Sequence, residues 1–503
     1  MSDDLRFDQV LTEDAAALPP SGVEVNPWRE AMCLVLWGLG LTTLTLHFLY
    51  LDVILPAVGA ILMVMGVRTL RRENRALQWC YRLSVAAAAV RSIAYTLNAL
   101  PWETGYVPAY VTILLTLALY VCLWRGMVGV SRAAGSEKPA APAAGALVIF
   151  YAVLIPLAYI GLEGWLAVLP LVIIYIAILR NLVKLSRSLA DTGYVVTAAP
   201  VRLPSWAVLW GYLSVTLAAI LLAMFLGQRY PMNWQPRTDA PQDAAIRAEL
   251  LELGFPRDVL DDLTADEVAQ MAGAAKVYTE TDVRYDQDTY REEIRDEWYD
   301  VIPANWEYDH ADRQEDGSYR YAYRVYEQKA YTMTHAAVQI PAEDGMDHWL
   351  FVHHLRYHTP QRYTESMELY PVWQDTDFWS RGELCSGRVL CQRQGKESAA
   401  DFFSLQIGRM TSNSFFGFYQ QDTAVARWSV PRRSTDVRAY VVYDAYERQQ
   451  VIFLNSWANY AGQTSPVYPF TDALTLSHSW QTGNICRWQT ALQKDLSEAE
   501  ETQ

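Results

Sequence analysis

Seven apolar runs fill the first 230 residues of the chain, and they predict transmembrane helices. They lie at about residues 31–49, 51–69, 83–100, 108–130, 145–162, 164–183 and 205–227. The last run, Ser205 to Gly227, contains no charged residue, and about twenty apolar residues suffice to cross the hydrocarbon core as one helix. The first two runs are nearly continuous, so the chain must fold back between them, at His47 to Asp52. The pattern predicts a flexible acidic tail at residues 1–27 and a seven-helix transmembrane domain at residues 28–228.

Basic residues are confined to alternate loops between these runs. The basic loops contain Arg68, Arg71, Arg72, Arg75 and Arg82, then Arg125, Arg132 and Lys138, and finally Arg180, Lys184, Arg187 and Arg202. The intervening loops lack Lys and Arg and include Glu103 and Glu163. The positive-inside rule therefore predicts a cytoplasmic N-terminus and an extracytoplasmic C-terminal half. The N-terminus shows no pattern of a cleaved secretory signal, and short inner loops favour a bacterial plasma membrane.

The two halves of the chain differ in charge. The net charge is +2 for residues 1–228 and −17 for the remainder, which together give −15. An acidic C-terminal half repels nucleic acid and anionic lipid headgroups, so neither is an expected partner of this half. Its many Tyr and Trp residues provide enough apolar surface for a folded core.

A spacer and short helices are predicted at residues 229–276. Gly254 suits a helix C-terminus, Pro256 a helix start, and Thr264 with Glu267 forms a capping-box pattern. The Leu253–Gly254–Phe255 turn resembles that of ubiquitin-associated domains, but an extracytoplasmic position makes ubiquitin an implausible ligand, and a helical neck is the preferred interpretation. Residues 277–317 are rich in carboxylates and are expected to form an acidic connecting segment, with one helix near 288–299.

From Ser318 the hydrophobic pattern alternates with a period of two. Nine to eleven short segments of this kind, separated by turn residues, predict antiparallel strands without intervening helices. Such strands favour an extracytoplasmic, all-β antiparallel sandwich, jelly-roll-like, over residues 318–490. Residues 491–503 are expected to form a polar tail.

The segment Trp373 to Trp379 is a candidate ligand-binding site of the sandwich. Asp375 and Asp377 lie between Trp373 and Trp379. Aromatic rings can stack on the apolar face of a sugar while carboxylates accept its hydroxyl groups, and paired aspartates can also bind calcium. The alternative is an ordinary polar turn flanked by core tryptophans. No second carboxylate can be placed opposite, so a glycosidase pair is not predicted.

Arg91 lies near the middle of the third apolar run. An ionisable residue inside a membrane is a candidate functional residue by default. The alternative is that its side chain bonds to carbonyl groups within the bundle or reaches the interface. A single such group does not support proton-coupled transport.

Four histidines and two cysteines offer further chemistry. On a strand, His348, His354 and His358 share one face and His353 takes the other, with spacings too long for one metal site. Cys385 and Cys391 are a candidate disulfide if they lie on a hairpin, but on one straight strand they lie too far apart. We therefore predict no metal and no cofactor.

Nucleophile, zinc-protease, P-loop and dinucleotide-binding motifs are absent from the sequence, so no catalytic residue is assigned and a non-enzymatic role is favoured. The first hypothesis is a membrane protein whose sandwich binds or senses an envelope component, a carbohydrate or a partner protein. The second is a membrane enzyme or transporter with its site near Arg91. The third is a structural subunit of an envelope complex. The expected partners are the lipid bilayer, an envelope carbohydrate or another membrane protein.

Overall fold

The computed structural model describes most of the chain. The described residues are 27–43, 50–101, 107–135, 140–160, 165–192, 196, 199–201, 203–238, 243–342, 346–358, 363–370, 378–414, 417–479 and 482–497. They divide into two compact units. The helical unit falls within Met1–Asn98 and Glu103–Leu222, and the β-domain within Ala99–Trp102 and Ala223–Gln503.

The apolar runs of the N-terminal half form helices. These are α1 (Pro27–Thr43), α2 (Leu51–Leu70), α3 (Arg75–Leu97), α4 (Val107–Ala133), α5 (Pro142–Ile160), α6 (Trp165–Asp191) and α7 (Ser205–Gly227). Among the described residues, four segments are long and apolar enough to cross a membrane: Leu51–Leu70, Tyr110–Ala133, Leu169–Asp191 and Ser205–Gly227. Helix α3 begins eight residues before the predicted apolar run, because the Asn74 side chain caps it by accepting a hydrogen bond from the Leu77 amide.

Glycines allow α1 and α2 to pack closely. A Cβ atom on Gly38 would lie 2.9 Å from the Gly59 carbonyl oxygen, and one on Gly59 would lie 2.9 Å from the Gly38 carbonyl oxygen. A Cβ on Gly66 would lie 2.6 Å from the Ala31 carbonyl oxygen. Small residues at these positions let the two backbones touch, as in many membrane helix pairs.

The C-terminal half is built mainly from antiparallel strands. The strands are β1 (Gln235–Pro236), β2 (Lys276–Tyr285), β3 (Tyr290–Arg295), β4 (Trp306–Arg313), β5 (Tyr319–Tyr326), β6 (Lys329–Ile340), β7 (His348–Tyr357), β8 (Glu365–Tyr370), β9 (Trp379–Arg393), β10 (Lys396–Asp401), β11 (Ser404–Ser414), β12 (Gly417–Trp428), β13 (Thr435–Glu447), β14 (Phe453–Gln463) and β15 (Ile485–Asp495). The short helices are α8 (Ala244–Glu252), α9 (Arg257–Asp262), α10 (Ala265–Ala269) and α11 (Ala473–His478).

Two large sheets enclose the main core of the β-domain. The seven-stranded sheet has the order β1-β10-β9-β13-β7-β6-β2, and the five-stranded sheet has the order β11-β12-β8-β14-β15. One buried cluster contains Trp349 and Val441 from the first sheet together with Trp428 and Tyr460 from the second. The inner faces of the two sheets therefore share one core, which is the packing of a β-sandwich. A helical region followed by antiparallel sheets is thus confirmed.

The neck helices cover the outer face of the seven-stranded sheet. Leu250, Val259 and Val268 share a buried cluster with Val352 and Val442 of that sheet. The predicted capping box is confirmed, since the Thr264 hydroxyl and the Glu267 carboxylate each accept a backbone amide of the other residue.

Three segments differ from the sequence predictions. The sequence predicts an acidic connecting segment at residues 277–317, with a helix near 288–299. In the structure these residues instead supply most of β2 and form β3 and β4. Strands β3, β5 and β4 make a small separate sheet on which aromatic side chains such as Trp306 and Tyr323 pack together. Here tertiary pairing overrides the low strand propensity of Asp and Glu.

The other two differences lie near the C-terminus. Residues 318–490 are predicted to form strands without intervening helices, but Ala473–His478 forms helix α11. Asp472 caps the first turn of this helix by accepting hydrogen bonds from the Leu474 and Thr475 amides. Strand β15 runs to Asp495, so the segment from 491 to 495 belongs to the sheet rather than to a polar tail.

Candidate ligand-binding cleft of the β-domain

A polar cleft of about 460 Å³ lies at one end of the sandwich. Strands of the seven-stranded sheet supply one wall, and the connection before β14 and the residues after β15 supply the other. Its polar lining comprises Lys276, Tyr278, Gln339, Asp347, Glu447, Gln450 and Ser497. Val451, Ile452 and Leu496 add an apolar rim. The volume is within the range of small-molecule sites.

Strand register brings the polar residues together. Lys276 pairs with Gln339 across β2 and β6, and Gln339 pairs with Trp349 across β6 and β7. Because side chains alternate along a strand, these three residues share the inner face of the sheet. Tyr278 lies two residues along β2 on the same face, and its ring stacks on Trp349 with centroids 5.9 Å apart.

Glu447 ends β13 on this inner face and is only 8% exposed. Its Oε1 accepts a hydrogen bond of 2.8 Å from the indole Nε1 of Trp349. Burial raises the pKa of the Glu447 carboxyl to about 7; the Trp349 hydrogen bond opposes this shift and the negative charge of Asp347 adds to it. Near neutral pH, Glu447 can therefore donate as an acid or accept as a carboxylate.

Asp347 lies at the other side of the cleft floor. Its Oδ2 accepts a hydrogen bond of 2.5 Å from Gln339 Nε2, and its backbone carbonyl accepts the Glu447 amide at 2.9 Å. Lys276 has no ion-pair partner within the described ranges. The cleft thus offers a cation, two carboxyl groups, an amide and an aromatic ring to a polar ligand.

A second polar cluster is enclosed between the sheets. His335 and His353 share a hydrogen bond of 2.6 Å between their Nδ1 atoms, and His353 Nε2 lies 2.9 Å from Ser456 Oγ. His335 Nε2 lies 3.7 Å from Asp282. Burial, with a smaller effect of His335, holds the pKa of His353 well below its usual range. Since Ser456 is completely buried, this arrangement is a structural network rather than an accessible nucleophile.

Only one residue of the predicted Trp–Asp site lies in the described part of the chain. Trp373, Asp375 and Asp377 fall outside the described residues. Trp379 begins β9 and packs edge-on against Trp349 and Phe351, with centroids 6.2 and 6.0 Å apart. Trp379 therefore supports the ring that holds Glu447, instead of forming an exposed platform.

The structure also locates the other predicted residues. Nη1 of Arg91 donates a hydrogen bond of 3.1 Å to the Pro56 carbonyl, which is the carbonyl-bonding alternative considered for this residue. Cys385 and Cys391 lie on the same strand, β9, and both are free thiols. Burial raises the pKa of Cys385 to about 12 and also raises that of Cys391, so both thiols stay protonated at neutral pH.

The histidines of β7 point to opposite faces. His353 joins the inner network, whereas His354 Nε2 lies 2.8 Å from Asp262 of the neck on the outer face. His348 lies 3.0 Å from Asp444. No group of three metal-ligating side chains occurs among the described residues.

The cleft residues were not identified from the sequence. The available signal was strand alternation, because Glu447 shares a face with the apolar residues Val441, Tyr443 and Ala445 of the predicted strand. A carboxylate on the same strand face as buried apolar residues indicates either a buried acid or a residue at the edge of a binding site. Its proximity to Lys276 and Gln339 depends on strand pairing that a single sequence does not reveal.

Comparisons with known proteins do not identify a family. The sequence matches no protein-family model and no curated protein. A solved structure described as the complete structure of manganese lipoxygenase of Gaeumannomyces graminis and partial structure of zonadhesin of Komagataella pastoris matches 45% of this chain and 82% of its own chain. The sequence identity is 5% and the TM-score is 0.16, so this likeness carries no argument about fold or function.

Proposed function

We propose that the chain is a multi-pass plasma-membrane protein whose extracytoplasmic β-domain binds a carbohydrate component of the cell envelope. In this proposal all seven helices cross the membrane, the N-terminus is cytoplasmic, and the acidic half is outside. The loop charges and the four long apolar helices support this placement. The observation that carries the binding role is the cleft in which Trp349 holds Glu447 beside Tyr278 and Lys276.

The cleft chemistry favours a sugar over an apolar ligand. Sugar hydroxyl groups both donate and accept hydrogen bonds, which suits the mixed lining of Gln339, Asp347 and Glu447. Tyr278 presents a ring for the apolar face of a pyranose. Lys276 is the cation among the described cleft residues, so we infer that the acidic group of an acidic sugar binds at Lys276 and the hydroxyl groups bind at Asp347 and Glu447.

Binding is tested with the full-length chain in detergent on a printed panel of neutral, amino-sugar and uronic-acid oligosaccharides. We expect a uronic-acid oligosaccharide to bind, and Lys276→Gln and Tyr278→Ala each to weaken binding by about tenfold or more, as for central contacts of a binding site. Tyr319→Ala, on the small separate sheet, is the matched control and should bind as the wild type. Equal binding by all variants, or no binding on the panel, would refute the proposal.

The membrane-enzyme and transporter alternatives gain less support. The Arg91 side chain donates a hydrogen bond to a backbone carbonyl, which supports a packing role for this residue. A structural role in an envelope complex remains compatible with the fold, but the cleft favours a binding function.

A further inference from the structure

A cavity of about 950 Å³ lies within the helical unit, between α2, α3 and α7. Its walls are mainly apolar and include Val85 and Ala88 of α3 and Val208 and Val215 of α7. Three arginines, Arg68, Arg71 and Arg72, also line it, and none of the described lining residues is acidic. The cavity therefore combines a long apolar wall with a concentration of positive charge near the end of α2.

Arg68 is the most informative of the three arginines. It is 8% exposed, and Nη1 and Nη2 donate hydrogen bonds of 3.1 Å to the Leu203 carbonyl and the Ser205 hydroxyl. Its Nε is buried and has no hydrogen-bond partner among the described residues. A buried charged donor without an acceptor is costly, so this atom indicates a missing acceptor in the cavity.

Arg71 and Arg72 also form no ion pair with an acidic residue in the described part of the chain. Arg71 donates a hydrogen bond of 3.1 Å to the Pro200 carbonyl and lies over the Tyr81 ring at 5.4 Å. Arg72 is exposed and makes no ion pair within the described ranges. Glu73 follows in the chain but does not line the cavity. The three guanidinium groups thus retain charge that an anion can neutralise.

The three arginines lie at the level expected for lipid headgroups in the proposed membrane placement. Arg68 bonds to the first turn of α7, and in that part of α7 Trp206 and Trp210 are 68% and 61% exposed. Exposed tryptophans of this kind are typical of the membrane–water interface. Under the proposed orientation, this interface is the cytoplasmic one.

We propose that the cavity binds an anionic phospholipid of the cytoplasmic leaflet. The phosphate binds at Arg68, Arg71 and Arg72, and an acyl chain lies along the apolar walls of α3 and α7. Gly211 leaves room for this chain, because a Cβ atom added there would meet no atom within 4 Å. Basic pockets between membrane helices on this side bind anionic headgroups by the same charge complementarity. The inference rests on the membrane placement proposed above.

The test is native mass spectrometry of the delipidated full-length chain, titrated separately with phosphatidylglycerol, phosphatidylethanolamine and inorganic phosphate. We expect one phosphatidylglycerol to bind about tenfold more tightly than phosphatidylethanolamine, and inorganic phosphate to bind weakly because it cannot use the apolar walls. The double variant R71Q/R72Q should remove the preference for phosphatidylglycerol. Gly211→Leu should weaken binding of phosphatidylglycerol by filling the cavity.

Two control variants match these changes. Arg132→Gln removes an exposed arginine from another basic loop, and Ala218→Leu enlarges an exposed residue of α7 that does not line the cavity. Both should bind phosphatidylglycerol as the wild type does. Equal affinity for the two lipids, an unchanged preference in R71Q/R72Q, or an unchanged affinity of Gly211→Leu for phosphatidylglycerol would overturn the proposal. If alkaline carbonate releases the chain from membranes, the membrane placement itself fails; if the chain stays integrated, such results overturn only the lipid site.

Discussion

Glu447 and Asp262 are both buried carboxyl groups of the β-domain, but their surroundings shift their pKa values in opposite directions. Burial raises the pKa of Glu447 to about 7. Burial alone would also raise the pKa of Asp262, but the hydrogen bonds and charges of His354 and Arg438 outweigh it and lower the pKa to about 2. One carboxyl can therefore change its protonation state near neutral pH, while the other remains a fixed anion.

The Glu447→Gln variant should change how stability depends on pH. The folded-state pKa lies above the ordinary value of 4.5, so the wild type is most stabilised by this group at low pH and loses that contribution as pH rises through 7. Gln keeps the acceptor for Trp349 and stays neutral. The variant should match the wild type near pH 4.5 and exceed it by about 3 kcal/mol near pH 8, taking about 1.4 kcal/mol per pKa unit.

The measurement is denaturant unfolding of the full-length chain in detergent, followed by tryptophan fluorescence across this pH range. Glu315→Gln, an exposed residue of the turn between β4 and β5, serves as the control and should follow the wild type. If the free energy of unfolding depended on pH in the same way for the wild type and Glu447→Gln, Glu447 would not titrate in this pH range.

The Asp262→Asn variant should destabilise the attachment of the neck helices to the sheet. Asp262 accepts hydrogen bonds of 2.7 Å from Arg438 and 2.8 Å from His354. Arg438 keeps its ion pairs with Asp436 and Glu397 in the variant, so the loss is that of one charge-assisted hydrogen bond and the bond to His354. We expect the free energy of unfolding to fall by about 1.5–3 kcal/mol at neutral pH. Because the folded-state pKa is lowered, this contribution is present above about pH 4 and disappears as pH falls towards 2.

Urea unfolding at neutral and acid pH checks this expectation. Asp258→Asn is the matched control on the same helix, since its exposed carboxylate lies 3.9 Å from Arg356 and should contribute under about 1 kcal/mol. An equal decrease in the free energy of unfolding for Asp262→Asn and Asp258→Asn would contradict the larger contribution assigned to the buried Asp262–Arg438 contact.

At the scale of elements, local patterns predicted helices and strands well where one face is buried. The alternating segment of β13 and the apolar run of α7 correspond to the observed elements. The prediction failed at residues 277–317, where Asp and Glu are frequent and the strands are stabilised by partners distant in sequence, such as β6 for β2. Strand pairing of this kind leaves little local signal.

The α1–α2 contact gives a prediction for a helix pair. Gly59→Leu should destabilise the helical unit by about 1–3 kcal/mol or more, because its side chain would meet the backbone of α1. Gly40→Leu, on α1, is the matched control, since a Cβ atom there would meet nothing within 4 Å.

Fluorescence-detected gel filtration after heating reports the melting temperature of each variant in detergent. A clear decrease for Gly59→Leu and a wild-type value for Gly40→Leu are expected. A Gly59→Leu chain as stable as the wild type would show that the two helices tolerate a larger separation.

At the scale of the whole molecule, the proposed topology assigns the two ends of the chain to different sides of the membrane. In a cysteine-free background, Glu315→Cys in the β-domain should react with a membrane-impermeant maleimide in intact cells. Ser188→Cys, in the last turn of α6, should react only after the membrane is permeabilised, because the positive-inside rule assigns that end to the cytoplasm. Labelling of Ser188→Cys in intact cells would reverse the orientation.

The sequence by itself determined the features that depend on local pattern. Apolar run length identified the helical region, loop charge predicted its orientation, and the period of two identified the antiparallel strands, because each signal lies within a window of a few to about twenty residues. Only the tertiary structure decided which side chains meet. Strand register placed Glu447 beside Trp349 and Lys276 beside Gln339, and helix packing placed Arg68 at the cavity of α2, α3 and α7. Long-range pairing fixes burial, and burial fixes the charge state and accessibility on which binding depends.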